Sequence, residues 1–440
     1  MSLESLRKKI AAKTAKLGVI GLGYVGLPVA CIFADAGFDV VGIDAKEKRI
    51  ATINRGISPI EGSEPGLAEL LATVVASGRL YATTSYQALC SCEVVMINVE
   101  TPVDEHHVPE YSALQQALRD LEPVLQTGAL VIIESTLAPG TMARVVRPLL
   151  ERGGGKRANA DFYLGHCPER VMPGKLLANL RHMSRVCGGE TAETACAMVA
   201  LYRHIVQADL DPTDCITAEL VKTAENAYRD VNIAFANEVA LICEAVGGDV
   251  WKVRELVNKS PGRAMLLPGA GVGGHCIPKD PWLLAHEAQQ RGAAIRLIPA
   301  ARAVNAAMPE HLVALLEDAL MEVNRPLAGA RILVLGYAYL ENSDDSRNSP
   351  SEVLSQLLHE RGAEVVIHDP YVEAYGGDVM VQSQGCDAIV AMVAHSEYLT
   401  LDLAALGEVL NARVIVDGRR MLAQPPGWVY RCVGQGIPTP

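Results

Sequence analysis

Leu17-Gly18-Val19-Ile20-Gly21-Leu22-Gly23-Tyr24-Val25-Gly26 decides the fold of the N-terminal half. A short apolar strand runs into a GxGxxG turn, and an apolar helix follows through Ala36. Phe38–Ile43 is the next predicted strand and ends in Asp44. In such a β–α–β unit Gly21 permits the tight turn, Gly23 lets the backbone approach a pyrophosphate, and Gly26 allows close packing of helix on sheet. The helix start offers unpaired N–H groups to the phosphates. Asp44 is placed to hold a ribose 2′-hydroxyl and to repel a 2′-phosphate, which favours NAD over NADP. The glycine pattern alone is weak and could be a bare turn; strand, helix and acid in this order make it a dinucleotide site.

Working outward, further apolar runs bounded by turn residues are predicted strands: Val94–Val99, Leu130–Glu134, Phe162–Gly165, Arg185–Cys187 and Ile205–Gln207. Strands alternating with helices give an α/β fold with a doubly wound parallel sheet. Thr217–Val246 lacks proline and repeats apolar residues at helical spacing, so it reads as one helix of roughly 30 residues, about 45 Å long. That length suits a connecting or dimer-forming element as well as a helix packed centrally. A second α/β unit follows Pro326, with strands at Arg331–Gly336, Glu364–His368, Ala388–Val393 and Val414–Val416 and a helix at Pro350–Arg361. It lacks a GxGxxG and is expected to bind something other than a full dinucleotide. The expected organisation is two Rossmann-like doubly wound domains, 1–210 and 326–440, joined by a long central helix and a helical middle domain, 211–325.

Composition narrows the function classes. The 440 residues are 50% apolar and 20% charged, as expected of a globular protein with sizeable cores. Aromatic residues make up only 5% and the net charge is −12, which argues against a nucleic-acid surface. Eleven cysteines without a regular framework fit a reducing cytoplasm. Cys90-Ser91-Cys92 has no second ligand pair nearby, so no metal site is expected. No apolar run nears the roughly 18 residues that span a bilayer, and no membrane association is expected. Ser2–Lys16 is basic without an apolar stretch and reads as a solvated helix or an added leader.

Chemistry concentrates in Gly271-Val272-Gly273-Gly274-His275-Cys276-Ile277-Pro278-Lys279-Asp280. Most cysteines are inert core residues, but flexible glycines and a carboxylate four residues on suit a thiol that accepts a bulky electrophile. Beside a nicotinamide site, such a thiol suggests oxidation beyond the aldehyde through a thioester. Lys222 and Asn226 lie one turn apart on the long helix. They could be a solvated polar stripe, or donors to an oxyanion built at a carbonyl carbon. The stretch Glu134–Thr141 follows a strand at the edge where open sheets bind ligands, and Pro168–Lys175 sets a carboxylate and two cations in a loop stiffened by prolines. In Asn342–Pro350, Ser349 reads as a helix cap with Pro350 at the first helical position.

Six segments in order carry a resemblance to the UDP-glucose/GDP-mannose dehydrogenase family: GLGYVGLP (21–28), ESTLAPGT (134–141), CPERVMPGK (167–175), ELVKTAENAYRDVNIAFANE (219–238), GVGGHCIPKDPW (271–282) and NSDDSRNSP (342–350). The resemblance implies an NAD-dependent four-electron oxidation of a sugar C6 alcohol to a carboxylate. It makes Cys276 the nucleophile and Asp280 the carboxylate assisting water or proton transfer. Lys222 and Asn226 become oxyanion donors, and Thr136 and Glu169 position water or act in acid–base steps. Cofactor contacts implied are Gly21, Gly23, Tyr24, Val25, Gly26, Asp44, Thr101 and Thr136. Substrate contacts implied are Arg170, Val171, Lys222, Asn226, Arg263, Gly273 and Arg347, with Arg419 or Arg420 facing nucleotide.

The 167–175 loop and Asp280-Pro281-Trp282 look like members acting on N-acetylhexosamines, which implies UDP-N-acetyl-D-mannosamine first and UDP-N-acetylglucosamine or UDP-glucose as alternatives. Leu340, at a position usually lysine in the family, raises a further alternative, a non-catalytic nucleotide-sugar-binding protein. A two-electron β-hydroxyacid dehydrogenase has no need of Cys276 or of a second α/β domain. The expected partners are a UDP-sugar and a second copy of the chain, as a homodimer or higher homo-oligomer.

Overall fold

The computed structural model describes residues 1–60, 62, 64–153 and 155–436. The chain divides into two compact units, one of residues 1–225 and 282–293, the other of residues 226–281 and 294–440.

The first unit is built on eight strands: β1 (Leu17–Ile20), β2 (Val40–Ile43), β3 (Leu80–Thr83), β4 (Val94–Ile97), β5 (Leu130–Ile133), β6 (Tyr163–His166), β7 (Arg185–Gly189) and β8 (Leu210–Asp214). Their order is β3-β2-β1-β4-β5-β6-β7-β8, and every pairing is parallel except that of β6 with β7. Leu17 is in register with both Val40 and Val94, so chain direction around the sheet reverses at β1. The crevice at the C-terminal ends of β1 and β4 is where such sheets take ligands. β1, β2, β4 and β5 are buried along their whole length, which is why each reads as an unbroken apolar run.

Two expectations need correction here. Ile205–Gln207 is not a strand; pairing begins at β8, whose residues Asp211-Pro212-Thr213-Asp214 are polar and largely solvent-facing. An edge strand need bury little, so it leaves no hydrophobic pattern to read. The N-terminal leader is not a solvated helix either. Leu3–Ala11 is helical and capped by Ser2, and Leu6 and Ile10, one turn apart, are fully buried in the core beneath the first sheet.

The long helix is present as Cys215–Val246, 32 residues, and it passes from the first unit into the second. The second unit's sheet contains β9 (Arg331–Leu335), β10 (Glu364–His368), β11 (Ala388–Ala391), β12 (Val414–Asp417) and β13 (Val429–Cys432), all parallel, in the order β10-β9-β11-β12-β13. Strand β3, the half-exposed edge strand β13 and the Leu297–Glu322 helix, which carries Pro309 inside it, lie outside the elements expected from the sequence.

Without a glycine fingerprint, this sheet still rebuilds the first one's turn. Gly336 after β9 has φ +93°, and a Cβ there would stand 2.5 Å from Val393 after β11. Asp369, following β10, accepts the backbone N–H groups of Tyr337 and Ala338 at 2.6 and 2.9 Å. Its carboxylate also pairs with His395, whose other ring nitrogen accepts from the Asn342 backbone N–H. The 337–348 loop is therefore tied to the sheet by a buried carboxylate and imidazole.

Candidate active site

In the first unit, β1 runs directly into the glycine turn. Gly21 has φ +88°, and a Cβ on it would meet the Asn98 carbonyl at 2.6 Å. A Cβ on Gly26 would strike the Gly21 carbonyl, so the helix beginning there can pack only on glycine. Gly23 has nothing within 4 Å of where its Cβ would stand, leaving open space beside the backbone for a bulky anion. This cradle fits a dinucleotide pyrophosphate. Asp44 is buried at the end of β2 and accepts the Leu22 N–H and the Arg49 guanidinium, each at 3.0 Å, and the Lys46 N–H at 2.9 Å. The acid thus fixes the turn. The Tyr24 hydroxyl donates to Glu64, which also accepts the N–H groups of Gly174 and Leu176. Val25 packs against the core, and the Thr101 hydroxyl donates to the Thr136 carbonyl at 2.7 Å.

Beside this cradle the first unit holds a buried charged cluster. Glu169 forms an ion pair with Arg185, which lies 3.9 Å from Glu134; all three side chains are almost fully buried. Burial pushes the Glu169 carboxyl up, against Arg185 and then Lys222, which pull it down. Lys222 therefore lies within electrostatic reach of Glu169 and is itself buried. Glu134 is pushed up to about 7, first by burial and then by the neighbouring charge of Glu169. Arg170 donates from Nε to Glu225 at 2.8 Å and from Nη1 to the Ser184 carbonyl at 2.7 Å; Val171 packs on the core. Sequence reasoning missed Arg185 and also Tyr202, whose hydroxyl donates to Glu134 at 2.5 Å. A lone arginine opening the apolar strand Arg185-Val186-Cys187 was the available signal.

The second unit holds the thiol loop, and its glycines serve close packing rather than flexibility. A Cβ on Gly273 would stand 2.6 Å from Tyr339, and one on Gly274 would press into the Tyr339 ring at 2.7 Å. The Gly274 N–H donates to the Arg347 carbonyl at 2.9 Å, while Asn348 Nδ2 donates to the Gly274 carbonyl at 3.1 Å. Cys276 is exposed. Its carbonyl accepts the N–H groups of Lys279 and Asp280 at 3.2 and 2.9 Å, so it stands at the start of the Asp280–Gln290 helix. The positive end of that helix stabilises an anion there. Asp280 is fully buried, accepts Asn226 Nδ2 at 2.5 Å and lies 3.1 Å from the Lys279 ammonium.

Arg347 grips Asp345 with two parallel hydrogen bonds, and its charge and the Tyr339 hydroxyl both feel Cys276. Arg263 is exposed and donates to the Pro261 carbonyl two residues back. Arg419 is held inward by the Met392 carbonyl, whereas Arg420 pairs with Asp249 over the Trp251 ring. Within their units the predicted residues therefore fall into two groups: Thr101 with Thr136 and Glu169 with Lys222 in the first, Gly273, Cys276, Asp280, Asn226 and Arg347 in the second.

Three family descriptions match this chain. Residues 15–206 match the NAD binding domain of the UDP-glucose/GDP-mannose dehydrogenase family, 216–307 its central domain and 333–424 its UDP binding domain. The UDP-N-acetyl-D-mannosamine dehydrogenase of Pyrococcus horikoshii is 40% identical over 96% of this chain and 99% of its own length. A solved structure of that enzyme superposes with a TM-score of 0.91 over the same shares of the two chains. The structure of an NDP-N-acetyl-D-galactosaminuronic acid dehydrogenase from Methanosarcina mazei is 37% identical, with a TM-score of 0.88 over 99% of this chain and 98% of its own.

Proposed function

We propose, from the premise that this chain belongs to the UDP-glucose/GDP-mannose dehydrogenase family, that it oxidises C6 of UDP-N-acetyl-D-mannosamine from alcohol to carboxylate through an acyl-cysteine at Cys276. Membership makes it an NAD-dependent nucleotide-sugar dehydrogenase. The substrate and the covalent route are the proposal. The observation that carries the route is an exposed thiol at a helix start, in a loop pinned by Arg347 and Asn348. The likeness to the Pyrococcus enzyme supports the sugar. The Methanosarcina likeness favours a second reading, another nucleotide-linked N-acetylhexosamine.

Gly21, Gly23, Tyr24, Val25, Gly26, Asp44, Thr101 and Thr136 would hold the dinucleotide. When bound, NAD+ supplies the hydride acceptor for the two oxidations. The Cys276 sulfur adds to the C6 aldehyde, giving a thiohemiacetal whose oxidation leaves a thioester. Water, activated by Asp280 or Glu169 and positioned with Thr136, displaces the thiolate. Lys222 and Asn226 stabilise the oxyanion that forms at C6 in addition and hydrolysis. The covalent bond keeps a reactive aldehyde from escaping and makes the second oxidation intramolecular. Arg170, Val171, Gly273 and Arg347 would contact the nucleotide sugar, and Arg263 would reach the substrate of a neighbouring copy. In this reading residues 1–210 take NAD, 211–325 carry the thiol and dimer contacts, and 326–440 take the UDP-sugar.

A panel of nucleotide sugars, incubated with the protein and NAD+, gives the test. Two NADH per uronate formed, fastest with UDP-N-acetyl-D-mannosamine, is the expected result. One NADH per product would leave a two-electron enzyme, and binding without NADH a sensor.

The homodimer rests on the long helix. Tyr228, Phe235, Ile242 and Val246 leave 70%, 55%, 55% and 72% of their surfaces exposed, spaced by seven, seven and four residues along one stripe. A second copy covering this stripe is the proposed partner. Phe235→Lys should convert a dimer to a monomer in light scattering; a parent protein that already runs as a monomer ends the idea. Among the described residues no helix is long and apolar enough to cross a membrane, and the eleven free cysteines support a cytoplasmic setting.

A further inference from the structure

The reaction proposed above uses Glu169 but leaves its buried neighbour Glu134 without a part. Glu134 follows β5 and has no exposed side-chain surface. Tyr202 donates its hydroxyl to Oε1 and Asn98 its amide to Oε2, each at 2.5 Å. Arg185 lies between the two carboxyls, fixed by the Leu180 carbonyl at 3.1 Å and by the Tyr202 ring 4.9 Å from its guanidinium carbon. Asn98 follows β4 and lies against the glycine turn, where a Cβ on Gly26 would meet its own Cβ at 2.9 Å. A line of polar groups therefore runs from the turn through the half-buried Asn98 and the buried Glu134 and Arg185 to Glu169.

A second carboxyl is not needed to satisfy Arg185, which Glu169 already pairs. Placing two acids around one guanidinium in the interior is costly, and such arrangements cluster where protonation is used. We propose that Glu134 is a positioning residue that acts through Arg185 to set the orientation and charge state of Glu169. The proposal rests on the reading of Glu169 as the acid–base group. The groups facing the pair are Tyr202 from the Ala192–Tyr202 helix, Asn98, Arg185 and Cys167, with Lys222 and Arg170 on the Glu169 side. Two carboxylates balance the Arg185 and Lys222 cations. When Glu169 takes a proton from water or substrate, Glu134 stays behind as the counter-charge of Arg185, and the cation does not follow the proton away. Burial holds both carboxyls above their ordinary range, so each takes up a proton more readily than a solvated glutamate does.

Glu134→Gln tests it, because the amide keeps the shape and removes the charge, and the Tyr202 hydroxyl can turn to accept. Without a neighbouring negative charge Glu169 ionises more readily, so the acidic limb of the kcat profile should move down by about one pH unit, with KM for NAD unchanged. A limb that stays in place, in a variant with the parent's circular dichroism and thermal transition, overturns the proposal. Should that variant not fold, infrared titration of protein labelled with 13C at the glutamate carboxyls decides. Glu134 should then titrate lower in Glu169→Gln than in the parent, and an unmoved titration overturns the coupling. Turnover of Glu169→Gln at the parent's rate would remove the acid–base role of Glu169 itself, a failure distinct from an unmoved limb.

Discussion

Cys276→Ala is expected to form no uronate, a loss of at least about a thousandfold in the four-electron reaction. The expected size follows from what the sulfur does. Without it the aldehyde has no covalent tether, and the second oxidation requires a hydrated aldehyde to find the same geometry unaided. Effective molarities of about 10⁵ M and above measure what the tether otherwise supplies. Binding should survive, because the Gly274 N–H and carbonyl, which hold the loop to the Arg347 carbonyl and the Asn348 side-chain amide, are kept in the variant. The measurement is product analysis by mass, with dinucleotide and nucleotide-sugar affinities read by calorimetry. A variant that makes uronate at the parent's rate would refute the acyl-enzyme. In the parent, acid quench during turnover should leave the sugar acyl group on the peptide that contains residue 276.

Arg185→Met is the second large effect, and it falls on stability. Methionine fills the space but leaves Glu134 and Glu169 buried together without their shared cation. Breaking a buried pair from one side costs about 3–5 kcal/mol. In a unit of this size that corresponds to a drop of about 10 °C in the melting temperature. The pH dependence carries the diagnosis. Without the cation both carboxyls would have folded pKa values above their ordinary unfolded value near ~4.3, so the folded state binds the extra protons. Stability is then retained at low pH and lost as pH rises through the folded pKa. Glu134 already stands at about 7 with Arg185 present. The deficit against the parent should therefore be small near pH 5 and full near pH 8. An equal deficit at both would mean that lost packing, not unpaired charge, explains it.

Much of the architecture was legible because it depends on local rules. The glycine turn, the apolar runs of β1, β4 and β5 and the unbroken 32-residue helix each announce themselves within one segment. The missed strands carry too little pattern. β8 and β13 lie at the rims of their sheets and bury little, so no alternation marks them, while β3 alternates buried Leu80 and Ala82 with exposed Tyr81 over only four residues, too few to read as a period. The leader differs: its apolar stripe, Leu3, Leu6 and Ile10, is too short to read as a core face until the first unit's other helices cover it. The glycines around Cys276 were recognised as unusual, but their reason is the Tyr339 ring and the 347–348 backbone, some seventy residues away in the chain.

By itself the sequence determined that a dinucleotide is held by a β–α–β turn and that a thiol stands in a glycine-rich loop, because backbone geometry at glycine and the period of apolar residues are properties of neighbours along the chain. Tertiary structure alone decided which acids are buried and which charges stand beside them. Residues 98, 134, 169, 185, 202 and 222 come from six separate segments, and only their convergence removes water from Glu134 and Glu169 and sets one arginine between them. Desolvation and Coulomb energy depend on distance through space, and no spacing along the chain encodes that distance.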